Sequence, residues 1–160
     1  MLSIPREKIS QKALTVWRIY GALFTLASLI PVGVSVYFVF WAEKISVWFF
    51  IGALALALVV AFFTIYAIPT LRYKRWRYEI RGEDLLIQQG LFIKTQTLIP
   101  LIRVQHVDTM QGPILRKFHL ASVEISTAAT QHEIPALEEA EAETLRQWIS
   151  NWIKTENRNE

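Results

Sequence analysis

The chain has 160 residues, just over half of them hydrophobic, with a mean hydropathy of +0.28 and a formal net charge of +3. That length allows one ordinary domain, or a membrane anchor plus a small domain. There is no cysteine, which excludes disulfides and thiolate-bound metals.

The charge is unevenly spread. Residues 1–18 carry Arg6, Lys8, Lys12 and Arg18 against one acid, Glu7, and read as a basic cytoplasmic segment. Residues 72–160 carry twelve charges of each sign. A nucleic-acid binder concentrates basic residues on its folded domain, so no nucleic-acid partner is expected.

Residues 19–71 read as a two-helix transmembrane hairpin. The run IYGALFTLASLIPVGVSVYFVFWA holds 24 uncharged residues between Arg18 and Glu43, and ISVWFFIGALALALVVAFFTIYAIPTL holds 27 more between Lys44 and Arg72. About 20 apolar residues suffice to cross the hydrocarbon core. Aromatic residues gather at the ends of both runs (Trp17 and Tyr20, Trp41 and Trp48, then Tyr66, Tyr73 and Trp76) as an interfacial belt does. Pro31 invites a kink in the first helix. A cleaved signal peptide does not fit, because the run is long and a second span follows at once. Only Glu43 and Lys44 separate the spans, and Lys/Arg residues flank their outer ends. The positive-inside rule therefore puts both termini and the C-terminal domain on the cytoplasmic side of the cell membrane.

Residues 72–78, RYKRWRY, form a basic juxtamembrane connector. Arg72, Lys74, Arg75, Trp76 and Arg77 are the candidate membrane-surface and lipid contacts. The same residues also read as a stop-transfer anchor whose long side chains snorkel to the interface, and the two readings are compatible.

From Trp76 to Lys154 the pattern changes to short alternating runs. WRYEI and LLIQQG flank the turn Arg81-Gly82-Glu83-Asp84 and predict a hairpin. KTQTLIP and RVQHVDT follow as strands. Pro113 opens a short helix, PILRKFH, with Ile114, Leu115 and Phe118 on one face. SVEIST, the turn AATQ and the extended HEIPAL come next. A helix from about Leu137 to Ile153 closes the domain, with Leu145, Trp148, Ile149 and Trp152 on its apolar face and acids in its first turns. This helix, with its two tryptophans, is expected to supply much of the core. Residues 155–160 read as a frayed tail. The fold class is α+β: a membrane hairpin, then a small antiparallel barrel or sandwich capped by an amphipathic helix.

Alternation in RVQHVDT puts Val104, His106 and Asp108 on one strand face and Gln105, Val107 and Thr109 on the other. A His and an Asp two apart are a partial ligand set, and a metal needs a third protein ligand that no spacing here supplies. A plain His–Asp hydrogen bond is the simpler expectation. No nucleophile–base pairing, glycine-rich phosphate loop or metalloprotease motif is present. The expectation is a non-enzyme without cofactor or metal.

The segments IPLIRVQHVDTMQGPILRKFHLASVEIST and HEIPALEEAEAETLRQWI, in that order behind two spans, resemble the bacterial pleckstrin-homology (PH) domain of the YdbS-like membrane proteins. The chain departs from that pattern at Ala128-Ala129, where a glycine-containing turn is expected. The resemblance implies a PH-like barrel held at the inner membrane face, with no agreed enzymatic activity. Many eukaryotic PH domains bind inositol phosphates around the first hairpin turn. Here Glu83 and Asp84 beside Arg81 make a poor phosphate cradle. The leading expectation is a non-catalytic adaptor that binds a membrane protein or a second copy of itself. The alternatives are an accessory subunit of a transport or export complex, packing through Gly52, Ala53, Ala55, Ala57 and Ala61, or a sensor of anionic lipid.

Overall fold

The computed structural model describes residues 5–42 and 47–156. The chain divides into two compact units, Trp17–Leu71 and a second made of Met1–Val16 with Arg72–Glu160.

Helix α1 spans Lys12–Ala42 and α2 spans Val47–Phe62. A π-helical stretch, Phe63–Ala67, passes directly into α3, Ile68–Arg75. Two segments, Lys12–Val34 and Ile51–Arg75, are long and apolar enough to cross a membrane. Leu23, Phe24 and Ile30 on one and Leu56, Leu58 and Phe62 on the other are exposed, a surface that suits hydrocarbon and not water. The hairpin tip at Glu43 and Lys44 lies outside the described residues.

The helices approach closely at Gly21, where an added Cβ would come within 2.2 Å of the Thr64 carbonyl oxygen. Small residues permit this packing in membranes. Beside it the hydroxyls of Thr25 and Thr64 lie 2.9 Å apart, each within 2.8 Å of a carbonyl one turn back, Gly21 and Val60. One hydroxyl donates to the other, and the second donates to its own helix. A Cβ at Gly52 would meet nothing within 4 Å. Among the described residues, close helix contact is found at Gly21 and not at Gly52.

In the other unit, β1 (Glu7–Lys8), β2 (Arg77–Arg81), β3 (Asp84–Gln89) and β4 (Thr95–Pro100) form one antiparallel sheet in that order. Strands β5 (Val104–Met110), β6 (Leu120–Thr127) and β7 (Gln131–Glu138) form a second. The 3-10 turn Leu101–Arg103 links them, and no ladder joins β4 to β5. The barrel is thus not closed. Helix α4 (Pro113–Lys117) starts at Pro113 and carries half-buried Ile114 and Leu115, with Arg116 and Lys117 exposed.

The N-terminal segment belongs to this unit. Glu7 and Lys8 pair with Tyr78 and Arg77, and Pro5, Ile9, Ala13 and Val16 are buried. The hydroxyl of Ser10 accepts from the backbone N–H of Lys12 and caps α1. The folded unit therefore reaches beyond residues 76–154. A two-residue strand is too short to produce a periodic signal.

Two bulges reset the strands. In β5, Val104 pairs with Thr127 and His106 with Ser126, leaving Gln105 as the extra residue. Val104 and Val107 are consequently the buried pair, with His106 and Asp108 exposed. This corrects strict alternation, because one inserted residue shifts every side chain after it to the other face. In β7 the register slips between Leu137 and Ile134, and Ala136 adopts φ +53° there. The Ala128-Ala129 turn needs no glycine. Neither alanine has positive φ, and Thr127 and Thr130 close the turn through backbone and side-chain bonds of 2.9–3.1 Å.

Helix α5 (Glu139–Glu156) packs on β5, β6, β7 and the 3-10 turn. Leu137 falls in β7, so the helix starts two residues later than its periodicity suggested. Ala142, Leu145 and Ile149 are its buried residues. Trp148 is 38% exposed and Trp152 half-buried, so the part of the core that this helix supplies is mainly aliphatic.

Candidate functional site

Of the five predicted surface residues, Arg72 and Lys74 are exposed and Arg75 and Arg77 half-buried. Trp76 is 2% exposed and sits in the core. An aromatic residue just past a helix end reads the same whether it packs inward or lies at the interface, so the sequence could not separate these two roles.

Arg75 is held at both ends. Its carbonyl, left over at the C-terminus of α3, accepts from Nε2 of buried Gln88 at 3.3 Å. Oε1 of Gln88 accepts from Nε2 of Gln96 at 2.9 Å, which satisfies the buried amide from β4. Nη1 of Arg75 donates to the carbonyl of Phe92 at 2.9 Å. These bonds fix the β3–β4 loop beside the end of α3. Gly90 enters the loop at φ +129°, and a Cβ there would come within 1.8 Å of the Ile93 carbonyl oxygen.

The loop that results is apolar and unsheltered: Phe92 is 85% exposed and Ile93 80%. The sequence reading passed over Leu91-Phe92-Ile93 between two strands. The available signal was three consecutive apolar residues where turn chemistry calls for polar ones.

Next to the connector, Arg72, Trp76, Gln89, Gln131, His132 and Glu133 line a cavity of about 210 Å³. Glu133 shares this lining with Arg72, and its negative charge disfavours an anion there.

His106 Nε2 lies 3.1 Å from Asp108 Oδ2, with both side chains exposed on the strand. No group of three or more His, Asp or Glu placed to hold a metal occurs among the described residues. At the first hairpin turn Gly82 adopts φ +58°. Nε of Arg81 donates to Glu79 Oε2 at 2.8 Å, so its guanidinium turns to its own strand and not toward the turn.

Two grooves flank the start of α5. One of about 800 Å³ is lined by Arg6, Glu79, Ile80, Leu145 and Trp148, among others. In its wall Tyr78 donates to Glu141 Oε1, and burial followed by this bond raises the phenol's pKa. The other, about 670 Å³, includes Thr109, Gln111, His119, Glu138 and Glu143. Glu138 is held below the usual carboxylate range by the Lys12 ammonium and then the Ser10 hydroxyl. Glu143 is held at about 2 by Arg146 and then Gln147.

Two membrane-crossing helices, two antiparallel sheets and a closing helix define a membrane-anchored small β-domain. A family model described as bacterial PH domain matches residues 21–152, and the chain belongs to that family. It is 45% identical to the UPF0699 transmembrane protein YdbS of Bacillus subtilis (strain 168), over 91% of each chain. It is 30% identical to the UPF0699 transmembrane protein YdbT of the same organism, over 62% of this chain and 21% of that one. No solved structure matches it. The chain is thus a membrane protein carrying a bacterial PH domain.

Proposed function

We propose that the protein is a non-catalytic, membrane-anchored adaptor whose PH domain stands at the cytoplasmic face and binds an extended segment of another membrane protein, or of a second copy. The observation that carries this reading is the edge of β4, which pairs with no strand other than β3 among the described residues. Thr95–Pro100 ends its sheet, and Leu98 on it is 47% exposed. A strand edge offers unpaired N–H and C=O groups to an added strand, with side-chain pockets giving selectivity. Cytoplasmic placement is supported by Arg72, Lys74, Arg75 and Arg77 after the second span. Tethering to the membrane raises the effective concentration of the module for partners in the same bilayer.

The test is co-purification. The tagged full chain is crosslinked in intact cells, mildly solubilised, and compared with Leu98→Lys. A stoichiometric membrane-protein partner (or a crosslinked dimer) that is lost in the variant supports the adaptor. Recovery of lipid alone from both chains removes it.

A further inference from the structure

We infer that the β3–β4 loop, Leu91–Ile93, is a membrane-docking wedge that seats the PH domain on the bilayer interface. The occupant of this apolar tip is lipid.

The placement follows from register and chain continuity. Strand β2 starts at Arg77, two residues after α3 ends, and pairs there with Gln88 near the end of β3. The loop after β3 therefore returns to the end of the domain where the chain leaves the second span. Arg75, four residues beyond Leu71 on α3, donates to the Phe92 carbonyl. Only four residues of chain separate Arg75 from Leu71, so chain connectivity alone keeps the loop that Arg75 holds close to the end of the second apolar run.

The chemistry fits that position. Among the described residues of the folded unit, Phe92 and Ile93 are the most exposed large apolar side chains. In water such a pair at a loop tip is a liability, whereas at an interface it is an anchor. Exposed Lys94 and Lys74 flank the same end and complement anionic headgroups. The opposite end is different. There the Gly82-Glu83 turn and the Leu101–Arg103 turn meet through a 2.8 Å bond from Leu101 N–H to the Glu83 carbonyl, and the charge is mixed. Six residues of β3 separate the two ends, roughly 20 Å at the usual strand rise. The wedge therefore lies at the end away from the Arg81–Asp84 turn. Gly90 and the Arg75–Phe92 bond fix the loop in advance, which limits the ordering lost on insertion. The inference rests on membrane anchoring alone and on no particular partner.

The full chain is reconstituted in liposomes of phosphatidylethanolamine and phosphatidylglycerol. It has no native cysteine, so a nitroxide is placed singly through Phe92→Cys, Ile93→Cys or, as a reference, Glu83→Cys. All three positions are exposed, so the probes need no repacking of the fold. The expected result is a several-fold higher ratio of oxygen to aqueous-nickel accessibility at 92 and 93 than at 83. Equal ratios at all three would overturn the inference. So would probes at 92 and 93 shielded from both reagents, which would mean protein contact instead of lipid.

Discussion

Tyr78, at the start of β2, donates its phenol proton to Glu141 Oε1 in the first turns of α5, 63 residues along the chain. The bond ties the sheet that includes the N-terminal strand to the helix that closes the domain. Tyr78→Phe should cost about 1–2 kcal/mol, the value of a hydrogen bond to a charged group with partial rescue by water. The sign with pH is set by the raised phenol pKa. The folded state holds this proton more tightly than an unfolded tyrosine, whose pKa is near 10. The stabilisation is therefore complete below about pH 10 and is lost as pH rises beyond it. Chemical denaturation in detergent micelles should show an alkaline decline in the native chain that is smaller in Tyr78→Phe.

Glu138 gives the opposite slope. Its carboxylate accepts from the Ser10 hydroxyl at 3.1 Å and from the Lys12 ammonium at 3.3 Å. Its folded pKa is lowered from 4.5. The stabilisation is present above that value and is lost as pH falls below it. Glu138→Gln should be less stable than the native chain at neutral pH, and the two should converge on acidification. Carboxyl NMR should find Glu143 titrating late, at about 2.

Ala136 carries a left-handed backbone at φ +53° in the β7 bulge, and its carbonyl accepts from the Ser10 N–H at 3.3 Å. A Cβ in that region costs roughly 1–2 kcal/mol, part of which glycine recovers despite its larger unfolded-state entropy. Ala136→Gly should raise stability by up to about 1 kcal/mol, and Ala136→Val should lower it by more than that. Parallel thermal melts decide the order.

Ile9 is buried although it lies 67 residues before Trp76 in sequence. Ile9→Ala should destabilise the domain by about 2–4 kcal/mol, as core truncations do. If residues 1–18 were a solvated leader, the substitution would be silent. Limited proteolysis of the solubilised chain separates these outcomes.

The large features were legible because their signals are long. Two uncharged runs produced the spans, Gly82 between alternating runs produced the hairpin, and the acidic start of the last segment located α5. Short or compensated features were not. A bulge at Gln105 changes which valines face the core without altering composition, and a two-residue strand leaves no period. Trp76 was placed at the surface because interfacial and core aromatics are the same residue type. The Leu91–Ile93 loop is three residues between two strands, too short for any periodic signal. Its exposure follows from the turn at Gly90 and the hold of Arg75 on Phe92, both tertiary facts.

The central proposal is that the PH domain stands on the cytoplasmic side of the two-span anchor. The most direct test is a single Glu83→Cys in the otherwise cysteine-free chain, treated in intact cells with a membrane-impermeant maleimide. The account predicts no labelling until the membrane is permeabilised, and full labelling afterwards. Labelling in intact cells would place the domain outside and contradict it.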